Sequence, residues 1–299
     1  MNRIKPWVLA SRPKTLFATL APIIIALSLS YQITSKINWL IASMTLLAAI
    51  LLQIGSNYAN DAYDFIKGAD NNAFRVGPKR MSQSGTLKPD SILNMMYFIF
   101  IISVFIGYYL ASIGGWPIVI IGLISILFAI IYTGGPYPLG YNGLGDITVF
   151  IFFGLIATFG TVYLQNHNSM FLSEYFYEIL ILATASGALN TAILVVNNIR
   201  DYKSDKLSNK KTLVVRLGQK FACYEYMFLL ILNYTCYILI SFLWSDFMIL
   251  LIMFPIPILS LFLIKKVFDY NQNDLNIILE KTAKMSFLNA LLFFIYIMI

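Results

Sequence analysis

Apolar runs of about twenty residues follow one another from end to end of this chain, and they leave few folds open to it. A bilayer core about 30 Å thick takes roughly 20 mostly apolar residues per helical crossing. Inside lipid each backbone N–H and C=O must find its partner within the protein, which makes the helix the solution for isolated runs of this length. The runs lie near residues 16–32, 38–58, 92–112, 117–133, 144–164, 175–198, 221–243, 246–264 and 285–299. Only 12% of the residues are charged, 59% are hydrophobic and the mean hydropathy is +0.75, against roughly 25% charged in an average soluble domain. The expectation is an all-α polytopic membrane protein of about nine transmembrane helices, forming a single domain over residues 1–299.

The first run follows Arg3, Lys5, Arg12 and Lys14, the charged start that a secretory signal also has. No small-residue cleavage site stands out and further spans follow, so it reads as a retained first helix. With the amino terminus in the cytoplasm, every Lys and Arg except Lys36 falls on the cytoplasmic side, as the positive-inside rule describes. The net charge of +7 is thereby a record of topology in a cell (inner) membrane and calls for no nucleic acid. The bilayer is the expected surrounding, and nothing points to an obligate protein partner. Cys223 and Cys236 sit in one apolar run as small buried residues, with no disulfide, metal or redox role inferred.

Two long cytoplasmic loops, 59–91 and 199–220, contrast with outer connections of a few residues, and function concentrates in such loops. Each follows an even-numbered helix that ends in Asn and Asp, a weak internal repeat. Asn57, Asn60, Asp61 and Asp64 are spaced i, i+3, i+4 and i+7, one stripe of a continuing helix. Asn197, Asp201 and Asp205 recur every four residues with Asn198 beside them. A single Asp here reads as a solvated helix end, but two matched carboxylate stripes on one side of a membrane mark a functional site.

Carboxylates and amide carbonyls are hard ligands suited to magnesium, which bridges one or two carboxylates to substrate phosphates. Cations lie close by: Lys67, Lys79 and Arg80 after the first stripe, and Arg200, Lys203, Lys206, Lys210 and Lys211 around the second. A diphosphate bound at the cytoplasmic mouth of an apolar bundle implies a polyprenyl diphosphate with its tail among the helices. Magnesium and the basic residues would stabilise the departing diphosphate, and electron-rich rings the allylic cation. Tyr58, Tyr63, Tyr132 and Tyr202 are candidates, although most of the 23 Phe and 19 Tyr serve packing or interfacial anchoring.

These residues resemble the hallmarks of the UbiA-type intramembrane prenyltransferases: Asn-Asp-x-x-Asp after helix two, here Asn60 to Asp64, and Asp-x-x-x-Asp after helix six, here Asp201 to Asp205. The resemblance covers nearly the whole chain. Further stretches are similar to the branch that prenylates 1,4-dihydroxy-2-naphthoate in menaquinone synthesis: Arg12 to Leu16, Lys67 to Asp70, Gly77 to Gly85, Tyr132 to Pro138 with Gly140 to Asp146, and Asn197 to Asp201 leading on to Lys211-Thr212-Leu213. The resemblance implies that Asp61, Asp64, Asp201 and Asp205 bind two magnesium ions with the diphosphate, assisted by Asn57, Asn60, Asn197 and Asn198, while Arg80 and Lys211 contact phosphate. Many relatives carry another Asp four residues beyond the position of Asp64; here that position is Gly68 and the nearest acid is Asp70. The implied reaction joins the prenyl chain to the carboxyl-bearing ring carbon with loss of carbon dioxide and diphosphate. Lys14 or Arg12 would pair with the acceptor carboxylate.

Relatives that prenylate 4-hydroxybenzoate or homogentisate share the Asp chemistry. An ion-coupled transporter is the rival from another class, since polar stripes at pseudo-repeated helix ends also fit an ion pathway. The acids, however, gather at one membrane face. Gly134, Gly135, Pro136 and Pro138 forbid regular helix, so 134–143 is expected to form an ordered turn over the cavity. His167, the only histidine, falls in an outer connection away from both stripes.

Overall fold

A computed structural model of the chain describes residues 4–69, 77–78, 80–166, 169–271 and 274–299. Asp70, Lys79 and His167 lie outside the described residues, as does the side chain of Lys14. Eight helices among the described residues are long and apolar enough to cross a membrane: α1 (Leu16–Thr34), α2 (Trp39–Ile66), α3 (Pro89–Gly114), α5 (Gly145–Asn166), α6 (Phe176–Leu207), α7 (Gln219–Leu243), α8 (Met248–Phe268) and α9 (Leu275–Met298). A ninth apolar helix, α4 (Trp116–Ile131), has 16 residues, so the expectation of about nine meets eight full-length spans and one short one. No strand occurs among the described residues.

Two differences from the hydropathy boundaries matter for function. Helices α2 and α6 run to Ile66 and Leu207, some eight residues past the end of their apolar stretches, so both Asp stripes stand on helix and not on loop. Helix α9 starts ten residues earlier than its apolar run, because its first turns carry Glu280, Lys281 and Lys284; an i,i+4 pair joins Glu280 to Lys284 at 2.9 Å.

Helix α6 is the most enclosed span and packs against α1, α5, α7 and α9. Its Ala183, Ala185, Ser186, Gly187, Ala188 and Ala192 are all buried, and such small residues let lipid-embedded helices approach closely. The closest approach is Gly154 of α5 against Gly187: a Cβ on Gly154 would lie 2.7 Å from the Ala183 carbonyl oxygen. Gly154 falls within a π-helical stretch, Ile151–Ile156, that widens α5 at this crossing. On the other side α2 packs along α3, with Gly55 receiving the Phe100 ring, and α4 packs on α2 and α3. A cavity of about 560 Å³ lies between these two groups of helices.

Candidate active site

The cavity has a polar end and an apolar length. At the polar end lie Arg12, Asn57, Asn60, Asp64, Arg80, Asn197, Asn198 and Lys210; farther along, Ile23, Leu52, Ile121, Ile126 and Ile156 line it as far as Thr45. Nineteen residues of α2 separate Thr45 from Asp64, so the cavity follows that helix for about 28 Å, close to a full bilayer core.

Asp64 is 1% exposed and its carboxylate is fully engaged. Arg80 pairs with Oδ2, Lys210 approaches the same oxygen at 3.5 Å, and the Tyr141 hydroxyl donates to Oδ1 at 2.7 Å. The Tyr141 ring has the ammonium groups of Lys67 and Lys210 each 5.1 Å from its centroid. Burial first and the Asp64 charge second push the Tyr141 phenol well above its ordinary value, which keeps it a donor. Arg80 also donates to the Asn60 carbonyl, and the Thr133 hydroxyl donates to Asn60 Oδ1 at 2.9 Å. These bonds tie the 132–144 turn onto α2. The turn is ordered as expected, closing with Gly140 N–H to Tyr132 O at 2.9 Å and Lys211 N–H to Tyr141 O at 3.0 Å.

Asp61 has a different task. Its carboxylate accepts the backbone N–H of Met81 at 3.1 Å, that of Ser82 at 3.0 Å, and the Ser82 hydroxyl, capping the turn that presents Arg80. On α6 the Arg200 guanidinium binds Asp201 through Nε at 2.8 Å and Nη2 at 2.7 Å, and reaches Asn197 Oδ1 at 2.8 Å. Asp205 is 6% exposed and within electrostatic reach of Lys210, Asp201, Asp64 and Arg80. Asp64, on the cavity wall, and Asp205, behind it, thus share the field of the same cations, Arg80 and Lys210.

The residues expected from the sequence divide accordingly. Asn57, Asn60, Asp64, Arg80, Tyr132, Asn197, Asn198 and Arg12 line the cavity; Asp61, Asp201 and Asp205 lie behind its wall. Asn57 also donates to the Ser11 carbonyl at 2.9 Å and to Thr15 Oγ1 at 3.1 Å, anchoring the amino-terminal segment. Arg12 stands in the left-handed region at φ 52°, uncommon for a side-chain-bearing residue, and this sharp bend sets its guanidinium at the mouth. Burial, then the charge of Arg80, lowers Arg12 to about 10, leaving it charged at neutral pH. Lys67 is exposed and donates to the Gly135 carbonyl at 3.1 Å.

Lys211 and three of the candidate tyrosines stand away from the cavity wall. Lys211 is exposed and does not line the cavity; its neighbour Lys210 does, because Lys210 N–H closes the end of α6 onto the Asp205 carbonyl and turns its side chain inward to Asp64. Of the four tyrosines proposed as cation stabilisers, only Tyr132 lines the cavity. Tyr58 donates to the Trp7 carbonyl, Tyr63 packs under Gly134, and Tyr202 packs at Lys206. Tyr141 and Thr133 lie in stretches noted only for resemblance, and chemistry alone had not marked them.

No group of three or more His, Cys, Asp or Glu converges into a ready-made metal cage among the described residues. The donor set nonetheless fits magnesium, which keeps several waters and takes one or two carboxylates alongside substrate phosphate oxygens. Asp64 and the Asn side chains at the mouth, with Asp205 directly behind the wall, supply hard oxygens of that kind.

Residues 19–291 match the family model described as the UbiA prenyltransferase family. The 1,4-dihydroxy-2-naphthoate octaprenyltransferase of Escherichia coli is 37% identical, covering 73% of this chain and 70% of that protein. The protein of the same name from Haemophilus influenzae is 33% identical over 98% of this chain and 95% of its own length. Among solved structures, a UbiA homologue from Archaeoglobus fulgidus bound to DMAPP and Mg2+ superposes with a TM-score of 0.70 at 16% identity, covering 98% of this chain and 99% of that one.

Proposed function

Because the chain belongs to the UbiA prenyltransferase family, we propose that it transfers a polyprenyl group from polyprenyl diphosphate to 1,4-dihydroxy-2-naphthoate, with loss of carbon dioxide and diphosphate, giving demethylmenaquinol for menaquinone synthesis. The observation that carries this reading is the union of a cationic, carboxylate-bearing mouth with an apolar cavity about 28 Å long. A diphosphate fits the first and an isoprenoid tail the second.

Arg80 and Lys210 already share the Asp64 carboxylate. Both can exchange it for phosphate oxygens, so a buried cation never loses a counter-charge and the desolvation penalty of an unpaired ion is avoided. Arg12 adds a third positive charge at the mouth, placed to meet either the diphosphate or the acceptor carboxylate. Asp64, Asp205 and, once freed from their present partners, Asp61 and Asp201 would hold magnesium with the help of Asn57, Asn60, Asn197 and Asn198. Magnesium would neutralise charge developing on the leaving diphosphate. Tyr132 presents its ring to the cavity below this mouth, where an allylic cation would form. Its phenol is raised by burial and then by Asp146, Asp64 and Asp205, and stays neutral.

The charge asymmetry of the connections supports a cell-membrane orientation with the amino terminus and the polar mouth in the cytoplasm, on the side where soluble acceptors and diphosphates reside. The test is turnover by purified protein in detergent with magnesium and geranyl diphosphate, offered dihydroxynaphthoate or 4-hydroxybenzoate. Prenylated, decarboxylated naphthoquinol is the expected product. Turnover of hydroxybenzoate alone would overturn the acceptor, and no turnover without a sealed membrane would favour a transporter.

A further inference from the structure

Below the mouth, the cavity wall carries a second polar layer that the diphosphate chemistry leaves unused. Asp146, in the first turn of α5, is 5% exposed, and Asn190 of α6 is 3% exposed; both line the cavity. In each, one side-chain oxygen, Oδ1, is buried without a hydrogen-bond partner. Asn190 uses only its amide nitrogen, donating to the Ser186 carbonyl at 3.1 Å. The Thr191 hydroxyl reaches the Asp146 carbonyl at 3.5 Å, which sets the two residues at one level of the bundle. That level is about 10 Å deeper than Asn197, seven residues along α6. Tyr132 connects the layers: its hydroxyl rests against Gly145, where a Cβ would come within 2.9 Å, and its environment includes the charges of Asp146, Asp64 and Asp205.

An orphaned buried acceptor costs roughly 1–3 kcal/mol, and two on one wall of an accessible cavity call for a ligand that brings donors. The isoprenoid tail has none. An Asp in a first helical turn can serve the helix dipole alone, but that role accounts neither for the unpartnered Oδ1 of a residue that lines the cavity nor for the like oxygen of Asn190 on the same wall.

Resting on the reading above, we propose that Asp146 and Asn190 form the acceptor subsite, binding the ring hydroxyls of the aromatic substrate, and that Asp146 takes the proton of the hydroxyl beside the attacked carbon. The balance of the step is complete. The hydroxyl proton passes to Asp146, the oxygen lone pair forms a ring C=O, and the displaced ring pair makes the new carbon–prenyl bond. The allylic C–O bond breaks with its electron pair leaving on diphosphate. Loss of carbon dioxide from the same ring carbon returns a pair to the ring, and the oxygen recovers its proton from Asp146 as the quinol forms.

The test combines kinetics with binding. Asp146→Asn is expected to lower kcat by about 100-fold or more, the usual worth of a positioned base, with the KM for geranyl diphosphate unchanged. Binding of dihydroxynaphthoate in the presence of geranyl thiolodiphosphate is expected to weaken about tenfold in Asp146→Asn and in Asn190→Leu. The dimethyl ether of the acceptor should bind wild type and both variants alike, the signature of a lost hydroxyl contact in a mutant cycle. Equal weakening for free and methylated acceptor, or kcat and acceptor affinity within twofold of wild type, would overturn the proposal. Should Asp146→Asn lose geranyl thiolodiphosphate binding as well, the Asn190→Leu comparison decides. Wild type that turns over hydroxybenzoate and not naphthoate contradicts the substrate reading separately, and the same variants then report on that acceptor's hydroxyl.

Discussion

At the scale of single residues, the site is a set of ion pairs poised to change partners. Lys210 reaches Asp64 while Lys211 faces outward, so Lys210→Ala should raise the KM for prenyl diphosphate about tenfold, near 1.4 kcal/mol, and Lys211→Ala should leave it unchanged. Steady-state kinetics on the two variants separates them. Asp61 and Asp205 should also part company. Asp61→Ala removes two hydrogen bonds to the 81–82 backbone and one to the Ser82 hydroxyl, and a lowered melting temperature is expected along with lost activity; Asp205→Ala should lose activity at an unaltered melting temperature. The carboxylate stripes were legible in the sequence because helical spacing puts them on one face. Their division of labour was not, because it depends on where the Arg80–Gly85 turn docks. Asn190 continues the Asn197 face at i−7, a signal that period alone carried.

At the scale of helices, hydropathy located the spans and missed their polar extensions. A lipid-based window ends where Asn and Asp begin, yet α2 and α6 continue because their stripes find partners in Arg80, Tyr141 and Arg200. The α5–α6 crossing depends on backbone-to-backbone contact that no periodicity reports. Gly187→Val should therefore unfold the bundle or cost on the order of 3 kcal/mol, since a Cβ there would already meet the Phe150 carbonyl oxygen at 3.0 Å. Thermal unfolding in detergent, read against Gly107→Ala as a helical control with open space at the Cβ position, measures the difference.

For the whole molecule, the fold makes a bilayer-length slot with its charge at one end. Gly107 of α3 and Gly122 of α4 both line that slot and have open space where a Cβ would stand. Gly122→Phe should narrow it, reducing turnover of a long polyprenyl donor at least tenfold while geranyl diphosphate is retained within about threefold; competition between the two donors provides the measurement. Decarboxylative prenyl transfer is measured by following carboxyl-labelled dihydroxynaphthoate through wild type, Asp64→Asn and Asp205→Asn in magnesium, with and without chelator. Wild type is expected to release one labelled carbon dioxide per diphosphate, and none is expected from either variant or after chelation. Undiminished release from both variants, or diphosphate release without carbon dioxide, would contradict that expectation.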